Sequence, residues 1–150
     1  MEIHPRAVLI GAVCALIVGC APGTAIETGT NRADMQIPSL IALVRADATK
    51  RTVLAQALVT QQVWMIPDPH ANRLAVLPFD QNERSFIPVF SDQKTFDEEA
   101  YGTGFENKAI AVTGKTFASL LDQDAIVVLN PGDRPAIEFK GAELKAIAAQ

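Results

Sequence analysis

The chain has 150 residues, of which 49% are hydrophobic and 20% are charged, and this composition is typical of one folded domain and excludes a disordered chain. Its formal net charge is −4, and no basic cluster exceeds the pair Lys50 and Arg51. The sequence therefore carries neither a basic stripe that would bind nucleic acid nor a polybasic patch for an anionic membrane surface.

The first 19 residues have the order of a secretory signal peptide. A short segment with one basic residue, Arg6, precedes the uncharged residues 7–18, and the small residue Gly19 stands directly before Cys20. The uninterrupted apolar stretch over residues 7–21 is too short to cross a bilayer comfortably as a helix, which takes about 20 residues. The pattern predicts a signal peptide over residues 1–19 and argues against a permanent membrane span.

Residues 17–20, Ile-Val-Gly-Cys, resemble the lipobox of bacterial lipoproteins. The resemblance implies that the Cys20 thiol carries a diacylglyceryl group, that the mature chain begins at this residue, and that several acyl chains such as palmitate anchor it stably. The next residues, Ala-Pro-Gly, lack an acidic inner-membrane retention signal. The predicted location is therefore the cell envelope, and the outer membrane facing the periplasm where the organism has one.

Two other interpretations of this segment stay open. The signal could be cut by the general signal peptidase, or Cys14 and Cys20 could be small apolar residues of an ordinary buried helix. If the signal is removed, Cys20 is the only cysteine of the mature chain, which excludes an intramolecular disulfide and a cysteine-based zinc site.

Residues 21–36 are rich in Thr, Gly and Ala and have no periodic apolar pattern. This composition predicts a flexible tether that follows the lipidated cysteine. Residues 40–44 then predict a short helix that ends near Asp47. A second helix is predicted over residues 50–61, with Thr49 as its cap, because its apolar residues recur with i, i+3, i+4 spacing.

Three apolar runs predict β-strands, at residues 63–66, 73–79 and 85–90, because they are rich in β-branched and aromatic residues. Pro88 lies inside the third run and predicts an edge strand or a bulge, since proline cannot donate a ladder hydrogen bond. The polar residues 80–83 predict a hairpin connection between the second strand and the third.

The second half of the chain alternates predicted helices, loops and strands. Ser91 is placed to cap a helix that runs toward Ala100. The most apolar run of the body, residues 125–129, predicts a central strand buried on both faces. The other predicted elements are a loop at 102–104, a strand at 108–112, a helix at 113–121, a turn at 130–133, a strand at 136–139 and a helix at 141–149.

This order of elements and several short stretches resemble the N-terminal domain of the SseB family, a small bacterial α/β domain. The stretches are QVWMIP at residues 62–67, FIPVFSD at residues 86–92, and IVVLNPG at residues 126–132, which runs on to IEF at residues 137–139. The resemblance spans residues 38–150 and implies a fold more than an activity, because a shared fold does not determine function. Members usually lack an export signal, so a signal-bearing chain indicates recruitment to the envelope.

Asp68 and His70 are the first candidate site. A histidine beside a carboxylate provides the base half of a hydrolase site, if a serine or threonine lies within reach. No nucleophile motif such as G-x-S-x-G accompanies the pair, and one histidine supplies too few ligands for a transition metal. A proline-rich surface turn is the preferred interpretation, and neither a metal nor another cofactor is predicted.

The turn over residues 130–134 is the second candidate. Its backbone N–H groups and Arg134 lie near the end of the predicted central strand, where open α/β sheets usually bind ligands. Asn130, Gly132 and Arg134 are therefore the candidate residues of a small-molecule site. An ordinary turn is the alternative interpretation of the same composition.

Three weaker patterns are interpreted structurally. Residues 114–116, Gly-Lys-Thr, end like a phosphate-binding loop, but Ala109 stands where that motif requires its first glycine. The acidic residues 97–99 lack the spacing of a calcium-binding loop. The aromatic residues are interpreted as core or sheet-face residues, although an exposed cluster of them would indicate a partner groove; they are Trp64, Phe86, Phe90, Phe105 and Phe139.

The predicted fold is α/β, or α+β in stricter usage, with one mixed β-sheet and packed helices over residues 37–150. The predicted function is that of a membrane-anchored lipoprotein whose non-enzymatic domain binds another protein or an envelope component, because no catalytic constellation stands out. An envelope hydrolase that uses His70 and Asp68, and a small-molecule binder at residues 130–134, are the alternatives.

Overall fold

The structure is a computed structural model, and it describes residues 35–150. The predicted signal peptide, Cys20 and the predicted tether up to residue 34 lie outside the described residues. The helices and strands described below belong to the predicted domain that begins at residue 37.

Two helices open the described part of the chain. α1 spans Ile37–Ala46, α2 spans Arg51–Thr60, and a 3₁₀ turn over Ala48–Lys50 connects them. The Asp47 carboxylate accepts the Thr49 N–H at 3.0 Å and the Thr49 hydroxyl at 2.6 Å. Asp47 therefore caps the 3₁₀ turn. The predicted Thr49 cap of the second helix is wrong, because α2 begins after Lys50, whose side chain makes no capping hydrogen bond.

The strands form one mixed, six-stranded sheet with the order β4-β1-β3-β5-β6, and β2 pairs with β3. Among the strands of the described residues, only β3 and β5 pair in parallel. The predicted fold class, one mixed sheet with packed helices, is confirmed. The remaining elements are β1 Gln62–Met65, β2 Phe79–Gln81, β3 Arg84–Phe90, α3 Gln93–Ala100, β4 Ile110–Thr113, α4 Gly114–Leu120, β5 Ile126–Leu129, β6 Ile137–Lys140 and α5 Gly141–Ala148.

The segment between β1 and β2 is less regular than predicted. The sequence predicts a strand over residues 73–79, but only Phe79 belongs to one, and the preceding residues form a single β-bridge between Val76 and Pro67. The nearby prolines, Pro67 and Pro69, have no N–H to donate, so a continuous ladder cannot form beside them. The predicted strand is therefore wrong over residues 73–78.

Pro88 lies in an interior strand, because β3 is flanked by β1 and β5, and the predicted edge position or bulge is wrong. The Val89 carbonyl accepts the Asn130 N–H at 2.9 Å on the β5 side, so alternation turns the Pro88 nitrogen toward β1. Beyond the end of β1, the Ile66 carbonyl accepts the Leu77 N–H at 3.0 Å. Pro88 has no N–H to donate to the Ile66 carbonyl, and Leu77 supplies that hydrogen bond instead.

The hairpin between β2 and β3 is tighter than the predicted connection over residues 80–83. Asp80 and Gln81 still pair with β3, and the turn consists of Asn82 and Glu83, whose φ angles are 51° and 62°. Two successive positive φ angles are the geometry of a type I′ turn, whose twist matches that of the flanking strands.

The sheet has two differently covered faces. Helices α1, α2, α4 and α5 pack on one face and form the larger core with alternate residues of the strands, among them Val63, Met65 and Val89. The opposite face carries a smaller cluster that includes Phe90 of β3 and Phe96 of α3. Within residues 35–150, one helix covers this second face where four cover the first, so these elements leave part of it open.

Candidate functional site

A groove lies on the face of the sheet that α3 partly covers. Its floor is built by Phe86, Pro88 and Phe90, which alternate along β3 and therefore point to one face. Phe79 of β2, Phe96 of α3 and Phe105 of the following loop form its walls. The cavity has a volume of about 310 Å³.

Phenylalanine is concentrated at this groove, which we name the aromatic groove after Phe79, Phe86, Phe90, Phe96 and Phe105. These are five of the seven phenylalanines of the chain. Phe79 and Phe105 meet edge to face with ring centroids 4.9 Å apart, and Phe90 and Phe96 do so at 5.1 Å. Such edge-to-face pairs stabilise one another, so the walls of the groove are held in place by contacts between different elements.

Glu99 of α3 is the ionisable residue that lines the aromatic groove. Its Oε2 atom accepts the Gly132 N–H at 2.7 Å. Burial raises the pKa of the Glu99 carboxyl, and the nearby Asp133 carboxylate raises it further, while the Gly132 hydrogen bond acts in the opposite direction. The groove thus combines an apolar interior with one carboxylate at its border.

A polar network supports the start of α3. The Asp92 carboxylate accepts the Thr95 N–H at 2.9 Å and the Ser91 hydroxyl at 2.7 Å, so Asp92 caps the helix. The predicted Ser91 cap is wrong because Ser91 is buried and its backbone N–H is donated to the Asn130 Oδ1 atom at 2.9 Å.

The three residues predicted for a small-molecule site have different surroundings. Asn130 is 4% exposed, and its Nδ2 atom donates to the Ser91 hydroxyl at 3.1 Å. Gly132 donates its N–H to Glu99, whereas the Arg134 side chain is exposed.

A second, polar cleft of about 410 Å³ lies between α1, α3 and the turn after β5. Asn130 and Gly132 line this cleft, together with Arg45 and Asp133, whose side chains form an ion pair at 2.9 Å. Arg134 is not among the lining residues. The turn therefore has an evident structural role, and its binding of a small molecule stays a prediction.

Asp68 and His70 lie in the irregular segment after β1. The Asp68 Oδ1 atom accepts the backbone N–H of His70 at 2.9 Å, and the histidine is exposed. In the described part of the chain, no hydrogen bond joins the His70 imidazole to Asp68. The carboxylate therefore shapes a turn around the histidine and does not orient its ring.

The Gly-Lys-Thr pattern at residues 114–116 lies at the start of α4 and has a structural role there. Gly114, from the Gly-Lys-Thr pattern, is buried against the backbone of Leu58, and Thr113 caps α4 by accepting the Thr116 N–H at 3.1 Å.

Among residues 35–150, no three His, Cys, Asp or Glu side chains come together in a group that would hold a metal ion. None of the helices described within that range is long and apolar enough to span a bilayer.

The sequence pattern that could have located the groove is the alternation of Phe86, Pro88 and Phe90. Sequence reasoning assigned the two phenylalanines to the sheet face but could not show that α3 leaves this face partly open. Phe79, Phe96 and Glu99 were missed as groove residues, because they belong to other elements and their convergence depends on the tertiary structure.

Comparison with known proteins gives one family match. Residues 21–146 match a family model described as the SseB protein N-terminal domain, which confirms the family suggested by the short stretches in β1, β3 and β5. Neither curated proteins nor solved structures give a match. The matched residues include every residue of the aromatic groove and extend back to the residue after Cys20.

Proposed function

This chain belongs to the SseB family, and we propose that it is a non-enzymatic binding protein of the cell envelope. Cys20 anchors it to the membrane, and its domain binds a short segment of a partner protein in the aromatic groove. The observation that carries the binding role is the groove itself, an apolar cavity of about 310 Å³ open at the surface.

The groove suits binding because its aromatic surface is both apolar and preorganised. Phe79, Phe86 and Phe105 are only partly buried, so a partner side chain that covers them removes further apolar surface from water. The ring contacts hold these side chains in place before a partner arrives, which lowers the entropy lost on binding. Rigid aromatic side chains are frequent energetic centres of protein interfaces.

The turn at Asp68 supports a binding role over the hydrolase alternative. In a nucleophilic site the carboxylate holds the histidine ring in the orientation needed for proton transfer. The Asp68 carboxylate accepts the His70 backbone N–H instead. Hydrolysis at these two residues would therefore require the turn to rearrange, whereas partner binding in the aromatic groove requires no such change.

The anchor is tested by substituting the two cysteines separately in the full-length chain. We expect the wild-type protein to fractionate with membranes and to carry acyl chains by mass spectrometry, and Cys20→Ala to lose both properties. Cys14→Ala is the matched control, because Cys14 lies in the predicted signal peptide, and it should behave like the wild type. Equal masses and a soluble distribution for all three proteins would contradict the anchor.

Groove binding is tested by panning a phage-displayed library of random heptapeptides against the purified full-length chain. Enriched peptides should bind Phe79→Ala about fivefold or more weakly than the wild type, since truncating an aromatic residue that contacts the partner costs about 1 kcal/mol or more. Leu74→Ala is the control, because Leu74 is a 42% exposed apolar residue outside the groove. Thermal melts establish that both variants are folded.

A second groove variant, Phe105→Ala, tests whether weaker binding to Phe79→Ala reflects the groove as a whole or only a contact made by Phe79. Phe105 approaches the groove from the loop after α3, whereas Phe79 belongs to β2. Both variants should weaken the same peptides. Peptides that bind both variants as tightly as the wild type would show that the aromatic groove is not the binding site.

A further inference from the structure

Glu99 lacks a cationic partner within the described residues 35–150. Its Oε2 atom accepts one backbone N–H, and none of the ion pairs in this part of the chain includes it. Arg45 lines the same polar cleft but pairs with Asp133 at 2.9 Å. A partly buried carboxylate is thus fixed in position at the border of an apolar groove without a counter-charge of its own.

The surroundings of Glu99 favour a positive charge. Burial and the neighbouring Asp133 carboxylate both oppose the ionised form and raise its pKa. A cation placed beside the carboxylate would reverse this effect, because opposite charges stabilise each other more strongly where water is partly excluded. The Gly132 hydrogen bond holds the carboxylate in place, so little side-chain entropy is lost when a cation pairs with it.

We propose that the aromatic groove binds a segment of a partner protein in which a lysine or arginine lies beside an aromatic or large aliphatic side chain. The apolar side chain enters the groove, and the cation pairs with Glu99 at its border. This inference rests on the proposed function, because it specifies the chemistry of the partner that the groove accepts. The net charge of −4 supports attraction of a basic segment.

The exposed surface next to the groove fits a peptide segment better than a small amine. The cavity of about 310 Å³ lies at the lower limit of small-molecule sites. Tyr101 follows the groove residue Ala100 and is 85% exposed. A chain of several residues can contact this surface as well as the groove, whereas a small amine cannot.

The test uses the heptapeptides enriched on the full-length wild-type chain. We expect most of them to contain a lysine or arginine within two positions of an aromatic or large aliphatic residue. Replacing that basic residue with glutamine in synthetic peptides should weaken binding to the wild type about fivefold to tenfold. The same replacement should change binding to Glu99→Gln less than about twofold, because the partner charge is absent.

Asp97→Asn is the matched control, since it removes one negative charge from the same helix at an exposed position. It should retain the full preference for basic peptides. If Asp97→Asn loses the preference as much as Glu99→Gln does, the preference arises from the general charge of α3 and the pairing with Glu99 is overturned.

The two proposals fail in different ways. Enriched peptides that depend on Phe79 but show no preference for basic residues would overturn the Glu99 inference and leave groove binding intact. Enriched peptides that bind Phe79→Ala and Phe105→Ala as tightly as the wild type would overturn both proposals.

Discussion

Asn130 connects the ends of the two parallel strands through its side chain. Its Oδ1 atom accepts the Ser91 N–H at 2.9 Å, and its Nδ2 atom donates to the Ser91 hydroxyl at 3.1 Å. Its φ angle of 46° is in the left-handed region, which asparagine adopts more readily than most residues. One side chain therefore fixes the turn that brings Gly132 to Glu99.

Replacing Asn130 with alanine should lower the free energy of unfolding by about 1–3 kcal/mol, because the buried Ser91 N–H and hydroxyl lose a partner. Urea denaturation measures the change. Asn107→Ala is the control, since Asn107 also has a positive φ angle, 60°, but is exposed. Equal losses for both variants would show that backbone strain, and not the buried hydrogen bonds, explains the effect.

At the scale of the element, the N-terminus of α3 depends on one carboxylate. Burial alone would raise the pKa of Asp92, but the hydrogen bonds from Ser91 and Thr95 outweigh it and lower the pKa below its ordinary value of 3.8. A carboxyl whose pKa is lowered on folding stabilises the protein while it is ionised, and this contribution is lost as the pH falls through the lowered value. The N-terminal cap of α3 is therefore weakened at acidic pH, where the Asp92 carboxylate becomes protonated.

Replacing Asp92 with alanine should lower the free energy of unfolding by about 1 kcal/mol at neutral pH, because the helix loses its cap. The difference from the wild type should shrink as the pH falls from 3.8 through the lowered pKa of the wild-type carboxyl, because the carboxylate then becomes protonated. Denaturant titrations at neutral pH and at a series of acidic pH values measure it. Asp97→Ala on the exposed side of α3 should show little effect, and a D92A difference that does not depend on pH would contradict the role of the charge.

At the scale of the whole molecule, the helical layer is held by close backbone contacts between elements that are distant in sequence. A Cβ atom on Gly114 would lie 1.8 Å from the Leu58 carbonyl oxygen of α2, and one on Gly141 would lie 1.9 Å from the Asp122 carbonyl oxygen. Arg51 joins α2 to α5 through two hydrogen bonds to Glu143, at 2.6 and 3.0 Å. These contacts seat the helices on the face opposite the aromatic groove.

Replacing Gly114 with alanine should destabilise the protein by about 1–3 kcal/mol, because α4 must move away from α2 to admit the methyl group. This loss should exceed the gain of about 1 kcal/mol or less expected from the higher helix propensity of alanine. Lys115→Ala, at the next and exposed position of α4, should change stability by less than about 0.5 kcal/mol. Thermal or chemical denaturation compares the two, and a stable G114A variant would contradict the close packing.

The amino-acid sequence is enough to predict the mixed sheet, its helices and the family. The runs at β1, β3, β5 and β6 were predicted because periodicity and β-branched residues are local properties of the chain, and short stretches within them were enough to indicate the SseB domain, which the family match confirms. The caps at Asp47 and Asp92 were each misassigned to a neighbouring Thr or Ser, because capping depends on which oxygen reaches the free N–H group.

The position of Pro88 in the sheet and the existence of the aromatic groove depend on contacts between elements that are distant along the chain. Pro88 is tolerated in an interior strand because Leu77, from a distant loop, bonds the carbonyl that faces it. The groove joins Phe79, Phe105 and Glu99 from a hairpin, a loop and a helix. No local sequence pattern marks any of these side chains as part of a site. They form one surface only because strand pairing and helix packing bring them to the same face.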